Sequence, residues 1–414
     1  MTEIPQSAGT KVTAPGQKIS RNEFIALLAM MFATIAFSVD AMLPALGRIA
    51  ADLSPDAVNK AQLVVGFFVM GMGLGTLFTG PLSDSWGRKP VVMAGFGLYA
   101  LGAACAAFAP DLETLLFARF LQGLGAAAPR VVGLSIIRDL YKGREMAKIT
   151  SFVMMIFTLF PAIAPSVGAF LAGIGGWRAI FLAFIGFALL IATWFTTRLT
   201  ETLAVDKRTP FRLTKLLGAG REVLTHPMVL NSMLVMTLTF AILLSFISSA
   251  QQVFDVVFDR LDTFHYWFAV IALISATSSA VNAYLVSRVG MRFIISITLA
   301  SQVVLSGLFI LALLLGLGTM EDDTWMFAVF LIWQLSVFFM LGLLMGNLNA
   351  LALEPMGHIA GMAASITGCV STIIALLIAI PIGLMFNGTL WPLLLAIFGL
   401  SLSAFIASKR MPER

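Results

Sequence analysis

Long apolar runs separated by short polar stretches dominate the chain. Twelve such runs can be marked, at about 24–47, 61–82, 91–109, 113–137, 148–172, 177–198, 228–253, 264–286, 293–317, 325–351, 358–386 and 390–407. Each is close to the ~20 residues that carry an α-helix across a bilayer. The runs are continuous and lack the alternation of a barrel strand, so they predict helices. The expected fold is an all-α membrane protein, with twelve transmembrane helices in two pseudo-symmetric six-helix bundles.

Composition supports lipid as the solvent. Of 414 residues, 59% are hydrophobic and 11% charged, about half the charged fraction of a soluble domain. The net charge of +5 does not point to nucleic acid, because the basic residues fall in short loops between the runs. Lys and Arg collect on the cytoplasmic side of a membrane. With the N-terminus placed in the cytoplasm, twenty of the 26 Lys and Arg residues fall on that side. Only Arg48, Lys60, Arg178 and Arg260 fall on the other. Arg119 and Arg130 lie inside the fourth run. Both termini are therefore expected in the cytoplasm. Cys105 and Cys369 sit in apolar segments and read as small buried hydrophobes. His226, His265 and His358 lie at helix ends without metal-ligand spacing. No metal or cofactor is expected, and no nucleotide-binding loop occurs.

The polar segments divide the chain. Residues 1–23 read as a disordered cytoplasmic tail, 24–198 as an N-terminal six-helix bundle, 199–227 as a basic cytoplasmic linker, 228–407 as a C-terminal six-helix bundle and 408–414 as a second tail. The turn after the second run, Asp84-Ser-Trp-Gly87-Arg88-Lys89, has a counterpart after the eighth, Ser287-Arg-Val-Gly290-Met-Arg292. Two parallel six-helix repeats are a transporter signature, with a substrate site between them near the midplane. Partners would then be a small-molecule substrate, protons and lipid; no oligomer is implied.

Nearly all acidic residues map to loops or helix ends. Asp40 alone lies well inside a run, and an intramembrane carboxylate is functional by default. It should lie ~12 Å below the outer helix end, and Arg119 ~9 Å below the same surface. The two are expected to approach each other or to share a polar cavity. Such a pair is either a static structural ion pair or a proton-binding acid tuned by its neighbour. Arg130 follows Arg119 by eleven positions. Both thus lie on nearly one helix face with Gln122 and Ala126, a stripe expected to line an aqueous cavity. Arg130 alternatively snorkels to the surface.

Gly80-Pro-Leu-Ser-Asp84-Ser-Trp-Gly87-Arg88-Lys89 resembles the signature G-x-x-x-D-x-x-G-R-K of the major facilitator superfamily, with every fixed position filled. The resemblance implies a conformational latch on the cytoplasmic side between helices two and eleven, built from Gly80, Asp84, Gly87, Arg88 and Lys89. Asp84 can meet a helix N-terminus or a basic partner such as Arg138. Arg119-Phe-Leu-Gln122-Gly-Leu-Gly125 resembles the family's helix-four motif, associated with proton coupling. Pro161-Ala-Ile-Ala-Pro165-Ser-Val-Gly168 resembles its helix-five antiporter motif, with Ala164 and Ala169 where glycines are usual; simple helix packing explains the segment equally well. Phe37-Ser-Val-Asp40-Ala-Met-Leu-Pro-Ala-Leu46 looks like the first helix of the bicyclomycin-resistance drug exporters, apart from Ala41 and Met42.

That resemblance implies a non-enzymatic, multi-pass protein of a bacterial cytoplasmic membrane that exports small molecules, drugs among them, in exchange for protons. An endogenous metabolite or siderophore as the cargo, or import instead of export, remains open. Candidate cavity residues are Phe37, Gln122, Arg130, Ser245, Ser249 and Gln334. Weaker polar signals are Ser248, Gln251 and Gln252 in helix seven, Ser275, Ser278, Ser279 and Asn282 in helix eight, and Asn347 and Asn349 in helix ten.

Overall fold

The computed structural model describes residues 19–316 and 324–411. Of the two expected tails, residues 1–18 and 412–414 lie outside these limits, while Arg21–Glu23 already belong to the first helix. The described residues are helical with no strand. In chain order the helices are α1 (Arg21–Asp40), α2 (Leu46–Leu53), α3 (Leu63–Trp86), α4 (Arg88–Ala107), α5 (Leu112–Leu140), α6 (Gly143–Phe157), α7 (Phe160–Arg198) and α8 (Leu213–Thr225). They continue with α9 (Pro227–Gln252), α10 (Phe264–Ala276), α11 (Ser278–Val289), α12 (Met291–Leu314), α13 (Thr324–Leu353), α14 (Ala360–Leu384) and α15 (Trp391–Lys409). Among the described residues, ten helical stretches are long and apolar enough to cross a membrane. Two of them are long, Gly143–Arg198 with 56 residues and Thr324–Leu384 with 61.

Local chemistry explains the breaks. Pro44 opens a 3-10 turn that separates α1 from α2. Pro161 has no amide hydrogen to continue the ladder, and α6 ends four residues before it. The backbone of α7 leaves helical geometry at Gly175 and at Gly176, whose φ is +67°. Asp111 caps α5 by accepting the Thr114 amide at 2.8 Å, which holds its carboxyl below the usual carboxylate range.

Helices α3, α4 and α5 meet at backbone distance. A Cβ on Gly71 would run into the Phe120 carbonyl of α5, and one on Gly125 into the Tyr99 amide of α4. Small residues permit this approach, which lipid itself does not drive. Helix α3 also packs along α14, and α7 along α10, joining the earlier helices to the later ones. Large apolar side chains such as Phe108, Phe170, Ile174 and Leu189 point outward, as a surface solvated by lipid requires.

Residues 199–227 contain the helix α8, whose Leu216, Ala219 and Val223 bury against Val229, Met356 and Ile366. One expectation needs correction: Cys369 is buried as expected, but Cys105 is exposed on α4.

Candidate functional site

Asp40 is the last residue of α1, immediately before the turn at Pro44. It is 6% exposed, and among the described residues it is the one buried carboxylate. No hydrogen bond or ion pair reaches it from another described residue. Gly168 of α7 lies directly against the next residue: a Cβ there would strike the Ala41 carbonyl. Pro165 and Gly168 are both buried, and Pro161 is half-buried. The helix-five motif thus sets how closely α7 approaches the turn after Asp40.

Arg119 is fully buried. Its guanidinium donates to the Val64 carbonyl at 3.1 Å, to Gln122 Oε1 at 2.7 Å and to the Ser38 carbonyl at 2.9 Å. The Phe68 ring lies 4.4 Å below it, and the Phe181 ring 5.8 Å away. Ser38 Oγ also hydrogen-bonds the Tyr99 hydroxyl at 2.6 Å. The expected contact between Asp40 and Arg119 is therefore indirect. The arginine reaches the same helix, two residues before the acid, but satisfies its donors on carbonyl oxygens. Carbonyls compensate a buried cation that has no carboxylate within ion-pair distance.

The stripe on α5 is not uniform. Arg119, Gln122 and Ala126 are buried, whereas Arg130 is exposed. Only one end of the stripe is thus exposed. Phe37 packs edge-on to Phe184 at 5.0 Å and against Phe187 at 5.2 Å, in the contact of α1 with α7. Ser245, Ser249 and Gln334 are buried in α9 and α13. Ser245 Oγ and both amide atoms of Gln334 have no hydrogen-bond partner. No hydrogen bond joins these three to the Arg119 cluster among the described residues.

The G-x-x-x-D-x-x-G-R-K turn ties α3 to α5 and to the segment after α7. Arg88 bridges Asp84 and Asp139, its Nε 2.9 Å from Asp139 Oδ2, and also donates to Ser83 Oγ at 2.8 Å. Glu201 accepts the Arg88 and Lys89 amides at 2.9 and 3.0 Å. Lys89 Nζ donates to the Thr196 and Leu199 carbonyls at 2.8 and 2.9 Å. Arg138 is not the partner of Asp84, contrary to the sequence expectation. It is exposed and donates to Ser135 Oγ at 3.3 Å. Arg88, the first residue of α4, reaches back across the turn at Gly87 to Asp84, and Asp139 supplies the second charge from α5. The expected contact with α14 carries no ion pair at this turn; half-buried Gly80 faces Ser365 Oγ instead.

At the opposite end of the helices lies a clasp that sequence reasoning missed. Gln62 donates to Gln252 Oε1, and Gln252 Nε2 donates to Asn59 Oδ1 at 3.0 Å. Asn59 Nδ2 donates to the Leu384 and Phe386 carbonyls at 3.1 and 2.8 Å. Residues before α3 are thus tied to the ends of α9 and α14. On the far side, α6 and α11 present largely exposed surfaces. Glu201 was also missed as a structural anchor, since nothing in its local sequence marks it; Asp139 belongs to the segment Ile137-Arg-Asp-Leu-Tyr141, which resembles the drug-exporter subfamily, but its pairing with Arg88 was not foreseen.

The model of the Major Facilitator Superfamily matches residues 24–380. The chain belongs to that superfamily. It is 31% identical over 354 residues to the bicyclomycin resistance protein homolog of Haemophilus influenzae, covering 84% of this chain and 85% of that one. It is 30% identical over 296 residues to the multidrug resistance protein MdtL of Shewanella oneidensis, covering 70% of each. The crystal structure of a D-xylose–proton symporter superposes with a TM-score of 0.72 at 15% identity, covering 94% of this chain and 98% of that one. An inward open conformation of the xylose transporter XylE gives 0.70 at 16% identity. The superfamily member is thus a multi-pass membrane transporter of small molecules and not an enzyme.

Proposed function

We propose that this transporter expels small molecules, drugs among them, in exchange for protons, with Asp40 as the proton-binding group. One observation carries the reading: a buried carboxylate without a salt bridge, two residues along α1 from the carbonyl that anchors a buried arginine. An acid so placed exchanges its proton at a cost set by solvent access, which alternates between the two faces in an alternating-access cycle. The names of the bicyclomycin- and multidrug-resistance relatives support the substrate class.

The proposed layout has twelve spans in two six-helix halves, 24–198 and 228–407, joined by the linker 199–227. The breaks inside the two longest apolar stretches support that count. The basic G-R-K turn would face the cytoplasm with both termini, and the Asn59 clasp the outside. The amide clasp closed at one end and exposed Arg130 and α11 towards the other fit an inward-facing form. In that form Asp40 releases its proton, and substrate binds among Gln122, Arg130, Ser245, Ser249 and Gln334. Reprotonation from outside resets the cycle.

The test is dye efflux from proteoliposomes under an imposed pH gradient. Wild-type protein is expected to show gradient-driven flux. Asp40→Asn keeps the shape and loses the ionisable group, so it should insert and melt normally but lose the coupling. Full gradient-driven flux in Asp40→Asn removes Asp40 from the role; flux indifferent to the gradient in wild type removes proton exchange altogether.

A further inference from the structure

Helix α8 carries apolar residues on two sides. Leu216, Ala219 and Val223 share one arc and are buried against α9 and α14. Leu213, Leu217 and Leu224 share a second arc, about 100° round the helix from the first at 100° per residue. These three leucines are 53%, 65% and 43% exposed. Phe211, two residues before the helix, is exposed as well. Thr214, Lys215, Arg221, Glu222 and Thr225 fill the remaining side. The helix thus has a protein side, a bare leucine side and a polar side.

Its place in the fold says what the leucines face. With 13 residues, α8 is too short to cross a bilayer. The buried arc meets Val229 in the first turn of α9, and Ala363 and Ile366 in the first two turns of α14. One residue, His226, separates α8 from α9, which opens an apolar stretch long enough to cross a membrane. The helix therefore lies where two spans begin. Leu230 and Leu234, exposed on the first two turns of α9, continue the apolar surface beyond it. The charges near the leucines are positive. Arg221 borders their arc, and Arg212 stands beside Phe211. Neither these arginines nor Lys215 has an ion pair among the described residues. Glu222, the one acid of α8, lies 2.9 Å from His358 Nε2.

We propose that α8 docks on the anionic phospholipid surface of its own membrane. Leu213, Leu217 and Leu224 enter the acyl boundary, Arg212 and Arg221 meet headgroup phosphates, and the polar side stays in water. Apolar burial and attraction to anionic lipid act together on a helix of this pattern. Since the same helix grips α9 and α14, docking holds the start of both spans at a fixed depth. The inference is independent of cargo and of proton coupling.

Nitroxide labels on the full chain in nanodiscs test it, with Cys105 and Cys369 replaced by serine. One label is placed by Leu217→Cys. The other is placed by Gly218→Cys on the polar side, where a side chain meets nothing within 4 Å. Collisions with oxygen report lipid and collisions with a nickel chelate report water. In phosphatidylcholine containing phosphatidylglycerol, the label at 217 should favour oxygen and the label at 218 the nickel chelate. In phosphatidylcholine alone, the label at 217 should shift towards nickel. Each cation near a charged surface is worth about fivefold in the ratio of inserted to withdrawn helix. Arg212→Gln with Arg221→Gln should therefore lower that ratio about 25-fold in the anionic discs. A label at 217 that stays open to nickel in both bilayers overturns the proposal and leaves the leucines to a soluble partner or a second copy. Equal insertion with and without phosphatidylglycerol overturns the anionic part and leaves plain apolar contact. The comparison of the two bilayers uses the unaltered arginines, so it decides the matter even if the double variant fails to fold.

Discussion

Removing the amide of Asn59 should release the end of the molecule closed by the clasp. Asn59→Ala deletes three hydrogen bonds: two to the Leu384 and Phe386 carbonyls and one from Gln252. Asn59 is only half-buried, so each bond is worth roughly 0.7 kcal/mol, the low end of the usual range. Three such bonds bias the closed arrangement by roughly 2 kcal/mol. At about 1.4 kcal/mol per tenfold, the ratio of open to closed forms at this end should rise about 30-fold. The contact of Gln62 with Gln252 survives the substitution and keeps the effect finite. Spin labels report it directly. Val58 and Met385 flank the clasp and are exposed; cysteines there, with Cys105 and Cys369 replaced by serine, allow pulsed electron–electron distance measurement in nanodiscs. The variant should gain a long-distance population that wild type lacks or holds at a low level. A distance distribution unchanged within threefold would mean that apolar packing of α3 on α14 and α7 on α10, not the amides, closes this end.

Other consequences are equally concrete. Arg119→Ala strands the Ser38 and Val64 carbonyls and opens a cavity, so it should cost about 3 kcal/mol and lower the melting temperature in detergent; Arg119→Lys, which restores only part of the donor set, should fall between. Gly168→Ala drives a methyl into the Ala41 carbonyl, a backbone atom that cannot rotate away; coupling should fail in the proteoliposome assay while Ala169→Gly remains active. Asp111 is depressed below its unfolded value, so its contribution is complete above about pH 4 and disappears as pH falls through the lowered value. Asp111→Asn keeps the cap without the charge, and its melting temperature should vary less with pH over that acidic range than that of wild type.

Much of this architecture was legible because membrane helices announce themselves. The apolar runs at 61–82, 91–109 and 228–253 sit inside α3, α4 and α9 with ends shifted by a few residues. Asp40 was found by its isolation, since a carboxylate in an apolar run is costly wherever the chain folds. Arg119 does come to the helix of Asp40, but charge and depth alone do not show that the carbonyls of Val64 and Ser38 take up the guanidinium. Arg138 was misjudged for a related reason: Arg88 follows Asp84 by four residues across the turn at Gly87, and so meets the acid without any long-range approach. The clasp was illegible because Asn59 and Gln62 stand at a loop edge, where polar residues are ordinary. Only the fold brings them to Gln252, and α8 was missed because its apolar stripe is short and set among arginines and lysines.

The way Arg119 is held has a consequence for energy conversion. Its charge is solvated by two main-chain oxygens and the Gln122 amide oxygen, none of which titrates, so it stays put whatever the state of Asp40. On the proposed cycle, each protonation then changes the net charge of the protein interior by a full unit. A field across the bilayer acts on such a unit with about 2.3 kcal/mol per 100 mV. Voltage, as well as acidity, would therefore drive the pump, and uncharged and cationic cargoes would respond to it differently.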